Sequence, residues 1–515
     1  MTSIGATGRL STPNVGPLRL GSASGRWVVA ATVLGSGMAL LDATAVNIAL
    51  PVLGRDLHAH FGGLQWTVNG YTLTLASLML LGGALGDRYG RRRLFLIGAI
   101  WFAVASALCA VAPSIEILIA ARALEGIGAA LLTPGSLAIL QASFAEQDRG
   151  RAIGAWSGFG GIAAAVGPFI GGYLVAGPGW RWVFLINLPL SVVVVMLTLQ
   201  HVPESRDPHA APHFDVCGAV LGAVGLAALN YALIGASGGW SIPTVVTLLV
   251  GIVASIGFVV NERRSPHPMV PPSMFRNVQF TATNVVTFVV YAALGGVFFL
   301  LMVQLEVVAG FSPLVAGSAL LPVTVIMLLL SERAGALSAS IGPRLPLSVG
   351  PLVAGCGVLL LLRVGQDGSY VQDVLPAVSV FGLGMALVVA PLTTTVMAST
   401  GADHVGIGSG INNAVARAAG LLGVAVLPLL AGLSGDDYER PQVFAAGFRT
   451  AMIACAVLLI MGGGLAAIII RNRVSADVRR RPIRKQFCAI DGPPLQPPLS
   501  TQRVELDRRP AARDA

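Results

Sequence analysis

The sequence has almost no lysine, since Lys485 near the C-terminus is the single lysine among 33 basic residues. A phosphate-binding loop of the Walker A type needs a Gly-Lys-Ser/Thr step at the start of a helix, which Lys485 does not supply. The chain therefore cannot use ATP by that route. Charged residues are also scarce, at 11% of the chain. A soluble domain carries roughly 25%, so the composition excludes an ordinary soluble protein.

Cysteine and histidine are sparse and scattered. None of the five cysteines forms a pair with metal-ligand spacing, and their odd number argues against a disulfide framework. No histidine lies within a predicted membrane span. The sequence therefore predicts no metal site and no cofactor. Without a convergent set of nucleophiles or metal ligands, it also gives no support to an intramembrane enzyme, and we expect no enzymatic activity.

Long apolar runs dominate what is present. Apolar residues make up 55% of the chain, the mean hydropathy is +0.77, and the 63 glycines suit helices that pack closely. A membrane-spanning helix needs about 20 mostly apolar residues. By that criterion the sequence predicts an all-α polytopic membrane protein with fourteen spans. The predicted spans are roughly 27–50, 66–86, 94–112, 115–140, 152–177, 182–200, 216–236, 243–260, 281–305, 314–332, 345–363, 374–397, 406–432 and 447–470.

Arginine is unevenly distributed between the predicted loops. With the N-terminus in the cytoplasm, most arginines fall in inner loops and in the two tails. The outer loops keep Arg55, Arg181, Arg363, Arg440 and Arg449. Cytoplasmic loops of membrane proteins carry an excess of Lys and Arg. We therefore expect both termini in the cytoplasm and a location in the cytoplasmic membrane. The formal charge of +9 is explained by these cytoplasmic arginines, so it does not indicate binding to nucleic acid.

A basic segment between two apolar runs, Gly83–Arg93, has a second copy at Gly335–Arg344. The matching residues are Gly83, Leu85, Gly90 and Arg92 in the first copy and Gly335, Leu337, Gly342 and Arg344 in the second. A polar loop used twice predicts a duplicated transporter whose halves move against one another. The first copy follows span two, so in two consecutive six-span halves the second copy would follow span eight. It follows span ten instead, and we therefore expect two helices inserted near the middle of the chain.

These spacings predict five regions. A disordered cytoplasmic N-terminus (1–26) precedes an N-terminal six-helix bundle (27–200). Cytoplasmic linkers and the two inserted helices, at about 216–236 and 243–260, occupy residues 201–280. A C-terminal six-helix bundle (281–470) follows. The Pro- and Arg-rich tail (471–515) is predicted to be disordered and cytoplasmic.

Five ionisable residues lie inside the apolar runs: Asp42, Arg122, Glu125, Glu306 and Arg417. An Asp or Arg at a helix centre costs about 2.5–3.5 kcal/mol on insertion scales, so such residues are functional candidates. A carboxylate in a cavity of low dielectric constant holds a proton more readily than one in water. Asp42 is therefore a candidate for proton coupling, and a structural hydrogen bond is its alternative. Arg122 and Glu125 lie on one helix face, either as a static pair or as a pair whose protonation changes during the cycle.

The remaining two charges lie in the second half of the chain. Glu306 either sits at the outer interface or faces a substrate cavity, where it would favour cationic substrates. Arg417 either snorkels toward the inner face or has a functional role. Aromatic side chains suit the wall of such a cavity, although aromatics near span ends are commonly interface anchors. The candidate residues of the substrate cavity are Glu306, Trp66, Tyr71, Phe298, Gln304, Asn412 and Arg417.

The fifth predicted span combines glycine with proline at Gly167, Pro168, Gly171 and Gly172. Glycines let neighbouring backbones approach, and Pro168 removes one backbone donor and can kink the helix. A flexible and closely packed helix is typical of a gate. Ordinary close packing is the alternative, and it explains the Gly-Pro pair less readily.

Several of these segments resemble the major facilitator superfamily, specifically its fourteen-span drug:proton antiporter branch. Gly83–Arg92 resembles the signature loop between spans two and three, and Leu41–Pro51 resembles the first-span motif. Arg122–Gly128 is similar to the fourth-span motif, Gly154–Gly172 to the antiporter motif of span five, and Trp180–Pro189 to the start of span six. The resemblance covers about residues 27 to 470.

The resemblance implies alternating access around a central cavity, with proton influx driving export of lipophilic, often cationic compounds. It associates Asp42 with coupling or substrate charge and Arg122 with proton-linked conformational change. A proton-linked or facilitative transporter of a specific metabolite or lipid, with the same fold, is the alternative. The implied partners are a small-molecule substrate, protons and the lipid bilayer. The gate between the halves is expected at the motif residues Gly83, Asp87, Arg88, Gly90, Arg91 and Arg92.

The sequence departs from the family pattern at several positions. Glu125 and Glu306 stand where glutamine is common, and Ala163 stands where glycine is usual. Asp87 is expected to face a helix N-terminus, an attraction that is lost when the halves separate. In the second copy of the loop Ala339 stands in the position of Asp87, so we expect the gating to be asymmetric.

Overall fold

The structure is a computed structural model, and it describes residues 18–207, 215–266, 268–366, 368–400 and 405–472. Within these ranges the chain is helical apart from short connections. Two segments predicted to be disordered fall largely outside this description, namely residues 1–17 of the N-terminus and residues 473–515 of the tail. Those two predictions stay predictions for these residues.

Residues 18–26 were included in the predicted disordered N-terminus, but the structure gives them defined contacts. The backbone N–H of Leu18 donates to the carbonyl of Ser143 at 2.8 Å, and the N–H of Leu20 donates to the Asp148 carboxylate at 3.0 Å. The first helix begins at Ala23 because the Ser22 hydroxyl accepts a hydrogen bond within the first turn and caps it. The helix therefore starts earlier than its apolar run predicts.

The described residues form a succession of α-helices. They are α1 (Ala23–Asp56), α2 (Phe61–Tyr89), α3 (Arg91–Ala110), α4 (Ile115–Ser143), α5 (Glu146–Ala176), α6 (Arg181–Leu185), α7 (Asn187–His201), α8 (Val216–Ala236), α9 (Ile242–Arg264), α10 (Val278–Val303), α11 (Pro313–Ser318), α12 (Leu321–Ile341), α13 (Arg344–Leu360), α14 (Leu375–Ser399), α15 (Val405–Leu430) and α16 (Pro441–Ile469). π-helical segments continue α10 (Gln304–Val308) and precede α14 (Tyr370–Val374). Short 3₁₀ segments lie at Pro272–Arg276, Leu361–Arg363 and Asp437–Glu439.

Twelve helical segments among the described residues are long and apolar enough to cross a membrane. They are α1, α2, α3, the α6–α7 pair, α8, α9, α10 with its extension, the α11–α12 pair, α13, α14 with the segment before it, α15 and α16. The chain is therefore an all-α multi-pass membrane protein. α4 and α5 are 29 and 31 residues long, but they are not among these twelve. The predicted number of fourteen spans is not confirmed by this criterion.

The two copies of the basic motif contain sharp helix–helix junctions, and the prediction of a polar loop at these positions was wrong. α2 continues through the first motif to Tyr89 and α3 begins at Arg91, so that only Gly90 interrupts the helix. Gly90 has φ +116°, and Gly342 of the second copy has φ +90°. Residues with a Cβ rarely adopt such angles, so glycine allows the chain to turn here within one or two residues.

The helices pack mainly within two groups, and a pair lies between them. α1–α7 contact one another, α10–α16 contact one another, and α8 and α9 pack together beside α2 and α15. We refer to the side that holds the junctions at Gly90 and Gly342 as the basic face. The side that holds the α1–α2 and α15–α16 connections is the distal face. Three of the buried charged residues, Asp42, Arg122 and Glu125, lie between these faces within the first group of helices.

Candidate functional site

A buried cluster of three charged residues joins α1 to α4. Arg122 Nη1 lies 2.5 Å from Asp42 Oδ2 and 2.6 Å from Glu125 Oε2. The side chain of Arg122 is 1% exposed, and those of Asp42 and Glu125 are 0% exposed. The three residues that the sequence pattern predicts as coupling residues therefore meet at one place. One guanidinium pairs with two carboxylates in a buried environment.

Neighbouring polar groups hold this cluster in position. Asn187 Nδ2 donates to Asp42 Oδ1 at 3.2 Å and to Ser106 Oγ at 3.0 Å. Arg122 Nε donates to the backbone carbonyl of Thr67 at 3.2 Å. Asn187, Ser106 and Thr67 were not predicted as site residues. A polar side chain inside an apolar run is the signal that points to Asn187.

Glu125 is the less satisfied of the two carboxylates. Its Oε2 accepts from Arg122 and from the Cys109 thiol, whose Sγ is 3.5 Å away. Its Oε1 is buried and has no hydrogen-bond partner among the described residues. Asp42, by contrast, accepts a hydrogen bond at each of its two oxygens. A buried acceptor without a partner is costly, so Oε1 of Glu125 is the position in the cluster where a proton would relieve the largest cost.

The charges of the cluster do not balance when all three groups are ionised. Two carboxylates then oppose one guanidinium, and the low dielectric constant of the interior penalises the excess negative charge. One added proton would make the cluster neutral. The arrangement is therefore suited to holding a single exchangeable proton beside an arginine that stays charged.

The two aromatic candidates on α2 face different neighbours. The Tyr71 ring centre lies 4.4 Å from Arg122 Cζ, within cation–π range, and its hydroxyl donates to the carbonyl of Ala39 at 3.0 Å. Tyr71 thus belongs to the buried cluster. Trp66 lies beside Tyr231 of α8, with ring centres 6.3 Å apart. It packs against one of the inserted helices.

Three further cavity candidates make contacts within the second half. Phe298 lies edge-to-face with a ring of α14, with centres 6.0 Å apart. Gln304 Nε2 donates to the carbonyl of Val364 at 2.8 Å. Asn412 Nδ2 donates to Thr287 Oγ1 at 2.8 Å. These contacts tie α10 to its neighbours, which is a structural role.

Glu306 and Arg417 lack partners for their buried polar atoms. Both carboxylate oxygens of Glu306 are buried without a hydrogen-bond partner among the described residues. Glu306 lies in the π-helical segment after α10, and such segments are frequent at functional sites. The Nε atom of Arg417 on α15 is also buried and, within the described part of the chain, unpaired. Both residues therefore remain functional candidates.

A cavity of about 390 Å³ lies at the basic-face ends of α2, α4 and α15. Small-molecule sites commonly have volumes of roughly 300–1,000 Å³. Met79 and Leu137 contribute apolar surface to this cavity, Asn413 lines its α15 side, and the motif residues Gly83 and Asp87 lie at its wall. None of the seven predicted substrate-cavity residues lines it. Their assignment to a substrate cavity stays a prediction.

On the distal side the two halves are in close contact through α5 and α11. A Cβ added to Gly172 would come within 2.8 Å of Leu314 Cα, and one added to Gly317 would clash with the carbonyl of Pro168. Backbone meets backbone at both positions, so no side chain larger than hydrogen fits. Pro168 and Gly172, predicted as gate residues, therefore lie at a contact between the halves.

The other face of α5 packs equally closely on α1. A Cβ on Gly171 would come within 2.9 Å of Ala45 Cα, and one on Gly167 would clash with the Thr44 hydroxyl. Thr44 and Ala45 follow Asp42 by less than one helical turn. The Gly-Pro segment therefore lies between the helix that carries Asp42 and the contact with the second half.

The distal connections also join the two halves. The N–H of Phe61 donates to the carbonyl of Gly435 at 2.7 Å, and the Tyr438 hydroxyl donates to the carbonyl of Ala59 at 2.8 Å. Burial raises the pKa of Tyr438 to about 12, so that its hydroxyl remains a donor at neutral pH. The halves are thus closed on the distal face and enclose a cavity on the basic face.

The Gly90 junction is held by the segment that follows α7. The Glu204 carboxylate accepts from the backbone N–H groups of Arg92 and Arg93, each at 3.2 Å, and so caps the start of α3. The Arg92 guanidinium donates to the carbonyl of Leu199 at 2.6 Å. A Cβ on Gly90 would lie 2.8 Å from the Glu204 carboxylate, which is a second reason for glycine there.

The second half repeats these contacts with different residues. The backbone N–H of Arg344 donates to Oδ1 of Asn472 at 3.0 Å, and the Arg344 guanidinium donates to the carbonyl of Ala467 at 2.7 Å. Arg344 and Gly342 correspond to Arg92 and Gly90. The matching contacts support the duplication inferred from the sequence. A neutral amide replaces the carboxylate cap in this half.

Asp87 lines the cavity together with Ile407 and Ser409 near the start of α15. Its Oδ1 lies 2.7 Å from Arg91 Nη2, across the Gly90 junction. The Arg88 guanidinium lies over the neighbouring Tyr89 ring at 5.5 Å. Asp87 lies one turn before Arg91 because α2 continues to Tyr89. Its attraction to a helix N-terminus stays a prediction, since residues 401–404 before α15 lie outside the described part of the chain.

A bundle of membrane helices with a buried charge cluster, a duplicated basic junction and a cavity closed on one face defines a membrane transporter rather than an enzyme. Residues 32–424 match the Major Facilitator Superfamily, and the chain belongs to this superfamily. The resemblance drawn from the sequence motifs is thereby confirmed.

Several relatives of this chain are named for drug resistance or for export. The chain is 38% identical over 400 residues to the multidrug resistance protein Stp of Mycobacterium tuberculosis (strain CDC 1551 / Oshkosh), with 77% of this chain and 74% of that protein covered. It is 36% identical over 468 residues to a probable actinorhodin transporter of Streptomyces coelicolor, with 85% and 81% covered.

Among solved structures, the peptide transporter POT in complex with sulfate resembles this chain with a TM-score of 0.65. The sequence identity is 16%, and the likeness covers 89% of this chain and 97% of that one. A likeness at this level of identity shows the fold, which is that of the superfamily.

Proposed function

We propose that the protein is a proton-coupled efflux transporter. It exports lipophilic small molecules across the cytoplasmic membrane by alternating access, with both termini in the cytoplasm and the basic face on the cytoplasmic side. In this proposal α4 and α5 also cross the membrane, because helices of 29 and 31 residues exceed the about 20 residues that a span requires. α1–α7 and α10–α16 then form two six-helix bundles, and α8 and α9 bring the number of spans to fourteen.

The observation that carries this proposal is the arrangement of Asp42, Arg122 and Glu125. Two fully buried carboxylates lie within 2.6 Å of one guanidinium nitrogen, which no purely structural pairing requires. Buried ionisable groups in membrane helices commonly mark proton relays. The static-pair alternative explains one carboxylate but leaves the second uncompensated.

Within the cluster, Glu125 is the proposed proton carrier. The proton binds at Oε1, which has no other partner among the described residues, and forms an O–H bond there. Arg122 then remains paired with Asp42, whose two oxygens already accept hydrogen bonds. Loss of that proton restores a second negative charge beside Arg122 and draws the guanidinium toward Glu125.

The route from this proton to the movement of the halves runs along α1. Asp42 lies on the same helix as Thr44 and Ala45, against which the glycines of α5 pack. The opposite side of α5 makes the distal contact with α11 through Gly172. A change in the Asp42–Arg122 pairing would therefore move α1 and α5 together, because the two helices pack closely. That movement would act on the contact between α5 and α11 and so favour opening on the distal face.

The substrates follow from the cavity and from the relatives. Met79, Leu137 and other apolar side chains line most of the cavity, which suits a lipophilic molecule. Relatives named for multidrug resistance and for actinorhodin transport support small, drug-like substrates. The expected preference for cations rested on Glu306, which lies in the π-helical segment at the distal end of α10 and away from this cavity, so we do not carry it into the proposal.

The test uses purified protein in proteoliposomes with an acidic lumen, and rhodamine B as the lipophilic dye. The proposal predicts that the pH gradient drives dye uptake in exchange for luminal protons and that a protonophore abolishes this uptake. Protein-free liposomes control for passive accumulation. Dye uptake that is unchanged by the protonophore would contradict proton coupling while leaving the transport function intact.

A further inference from the structure

Arg417 lies near the centre of α15, one helical turn beyond the wall of the cavity. Asn413 lines the cavity, and residues four apart share a helix face, so Arg417 is the next side chain of that face toward the interior. Arg417 does not itself line the cavity, but it follows the lining residue Asn413 by one helical turn. This position was named as a candidate from the sequence, without an assigned ligand.

Snorkelling, the alternative for this residue, conflicts with its depth. Arg417 is 12 residues from Val405 at the basic-face end of α15, which corresponds to about 18 Å at 1.5 Å per residue. A side chain does not span that distance. The Nε atom of Arg417 is buried, so the guanidinium stays among the helices.

Arg417 also differs from the other central arginine in what surrounds it. Arg122 has two carboxylates within 2.6 Å. No ion pair or hydrogen bond joins Arg417 to a residue in the described part of the chain. A guanidinium without an anion inside a helix bundle is costly, and this one lies on the face of α15 that lines the cavity at Asn413.

We propose that Arg417 binds an acidic group of the transported molecule, such as a carboxylate. The apolar wall of the cavity holds the lipophilic body, and the planar guanidinium pairs with the two oxygens of the acid. This inference deepens the proposed export function and rests on it. The substrate class is therefore lipophilic organic acids, instead of the lipophilic cations that Glu306 suggested.

The experiment compares two dyes that differ in one group. Rhodamine B has a free carboxylate, and its ethyl ester has the same rings without that acid. Binding of each dye to the purified full-length protein in detergent is measured by fluorescence anisotropy, with no pH gradient. The variants are Arg417→Gln, Arg417→Lys and the control Arg449→Gln, which removes an exposed arginine of α16.

We expect the wild-type protein and Arg449→Gln to bind rhodamine B more tightly than the ester. Arg417→Gln should lower the affinity for rhodamine B by about tenfold or more, because a charge-assisted pair is lost, and leave the affinity for the ester within about twofold. Arg417→Lys should retain part of the preference. Unchanged ester binding also shows that each variant is folded.

Three results would overturn the assignment. They are a wild-type protein that binds the ester as tightly as the acid, a wild-type protein that binds neither dye, and an Arg417→Gln variant that loses both dyes equally. Since binding is measured without a gradient, a protein that fails to couple to protons can still pass this test. The inference and the proposed function can therefore fail separately.

Discussion

Arg122 Nη1 and Asp42 Oδ2 lie 2.5 Å apart, although the two residues belong to different helices and are 80 positions apart in the chain. This contact joins α4 to α1. The same guanidinium nitrogen also contacts Glu125, so that one positive charge pairs with two carboxylates. Because α1 also packs against the glycine face of α5, the pair connects a buried charge to a contact between the halves.

Replacing Asp42 with Asn should abolish transport driven by the pH gradient. The amide keeps the size of the side chain but removes the charge that holds Arg122 when Glu125 is protonated. We expect gradient-driven dye uptake to fall by about tenfold or more, since breaking a buried pair costs several kcal/mol. The matched control is Asp56→Asn on the same helix, where a half-exposed carboxylate pairs with Arg181. Wild-type uptake by the Asp42→Asn protein would remove this residue from the mechanism.

Replacing Arg122 with Met should destabilise the folded protein by about 3–5 kcal/mol, because two buried carboxylates lose their only cation. Adding Asp42→Asn and Glu125→Gln should restore most of this loss, since no buried charge then remains. Thermal unfolding in detergent measures both effects. Arg181→Met, at an exposed ion pair, should cost only about 0–1 kcal/mol. A triple variant that is no more stable than Arg122→Met would show that packing, not charge, dominates.

Adding a methyl group at Gly172 should weaken closure on the distal face. The new Cβ would meet the backbone of α11, and overpacking of this kind costs about 1–3 kcal/mol. We expect faster hydrogen–deuterium exchange in Pro313–Ser318 and slower transport. Gly158→Ala on the same helix is the control, because nothing lies within 4 Å of its added Cβ. Equal exchange rates in the two variants would argue against a tight distal contact.

Removing the Glu204 carboxylate should loosen the Gly90 junction. Glu204→Ala deletes a cap worth about 1 kcal/mol, which corresponds to roughly fivefold faster exchange at the start of α3. Asn472→Ala should have a smaller effect on α13, because a neutral cap lacks the interaction with the helix dipole. Hydrogen–deuterium exchange of both segments checks the asymmetry, and a larger effect at Asn472 would contradict it.

The fold could be predicted from the sequence where a single physical signal determines it. The predicted span 216–236 coincides with α8 (Val216–Ala236), because turn residues bound its apolar run. The start of α1 was missed because Ser22, a polar cap, lies outside the apolar run. The Gly90 junction was predicted as a loop because arginines are polar, yet they are good helix formers and begin α3.

The buried charges could be identified one by one but not as a cluster. Asp42 and Arg122 stand out because charges in apolar runs are rare, whereas their contact depends on how α1 and α4 rotate and pack. The cavity residues were harder to predict. Asn412 and Asn413 are adjacent and equally polar, but only Asn413 faces the cavity, while Asn412 bonds to Thr287. Composition does not decide which face of a helix meets its neighbour.

Glu125→Gln gives the most direct test of proton coupling, because glutamine has the shape of a protonated glutamate and cannot release the proton. Dye uptake into proteoliposomes with an acidic lumen is compared with uptake at equal pH, with Glu116→Gln as the exposed control on the same helix. We predict that the pH gradient stimulates uptake by the wild-type and Glu116→Gln proteins but not by Glu125→Gln. Equal stimulation of all three proteins would contradict the assignment of Glu125 as the proton carrier.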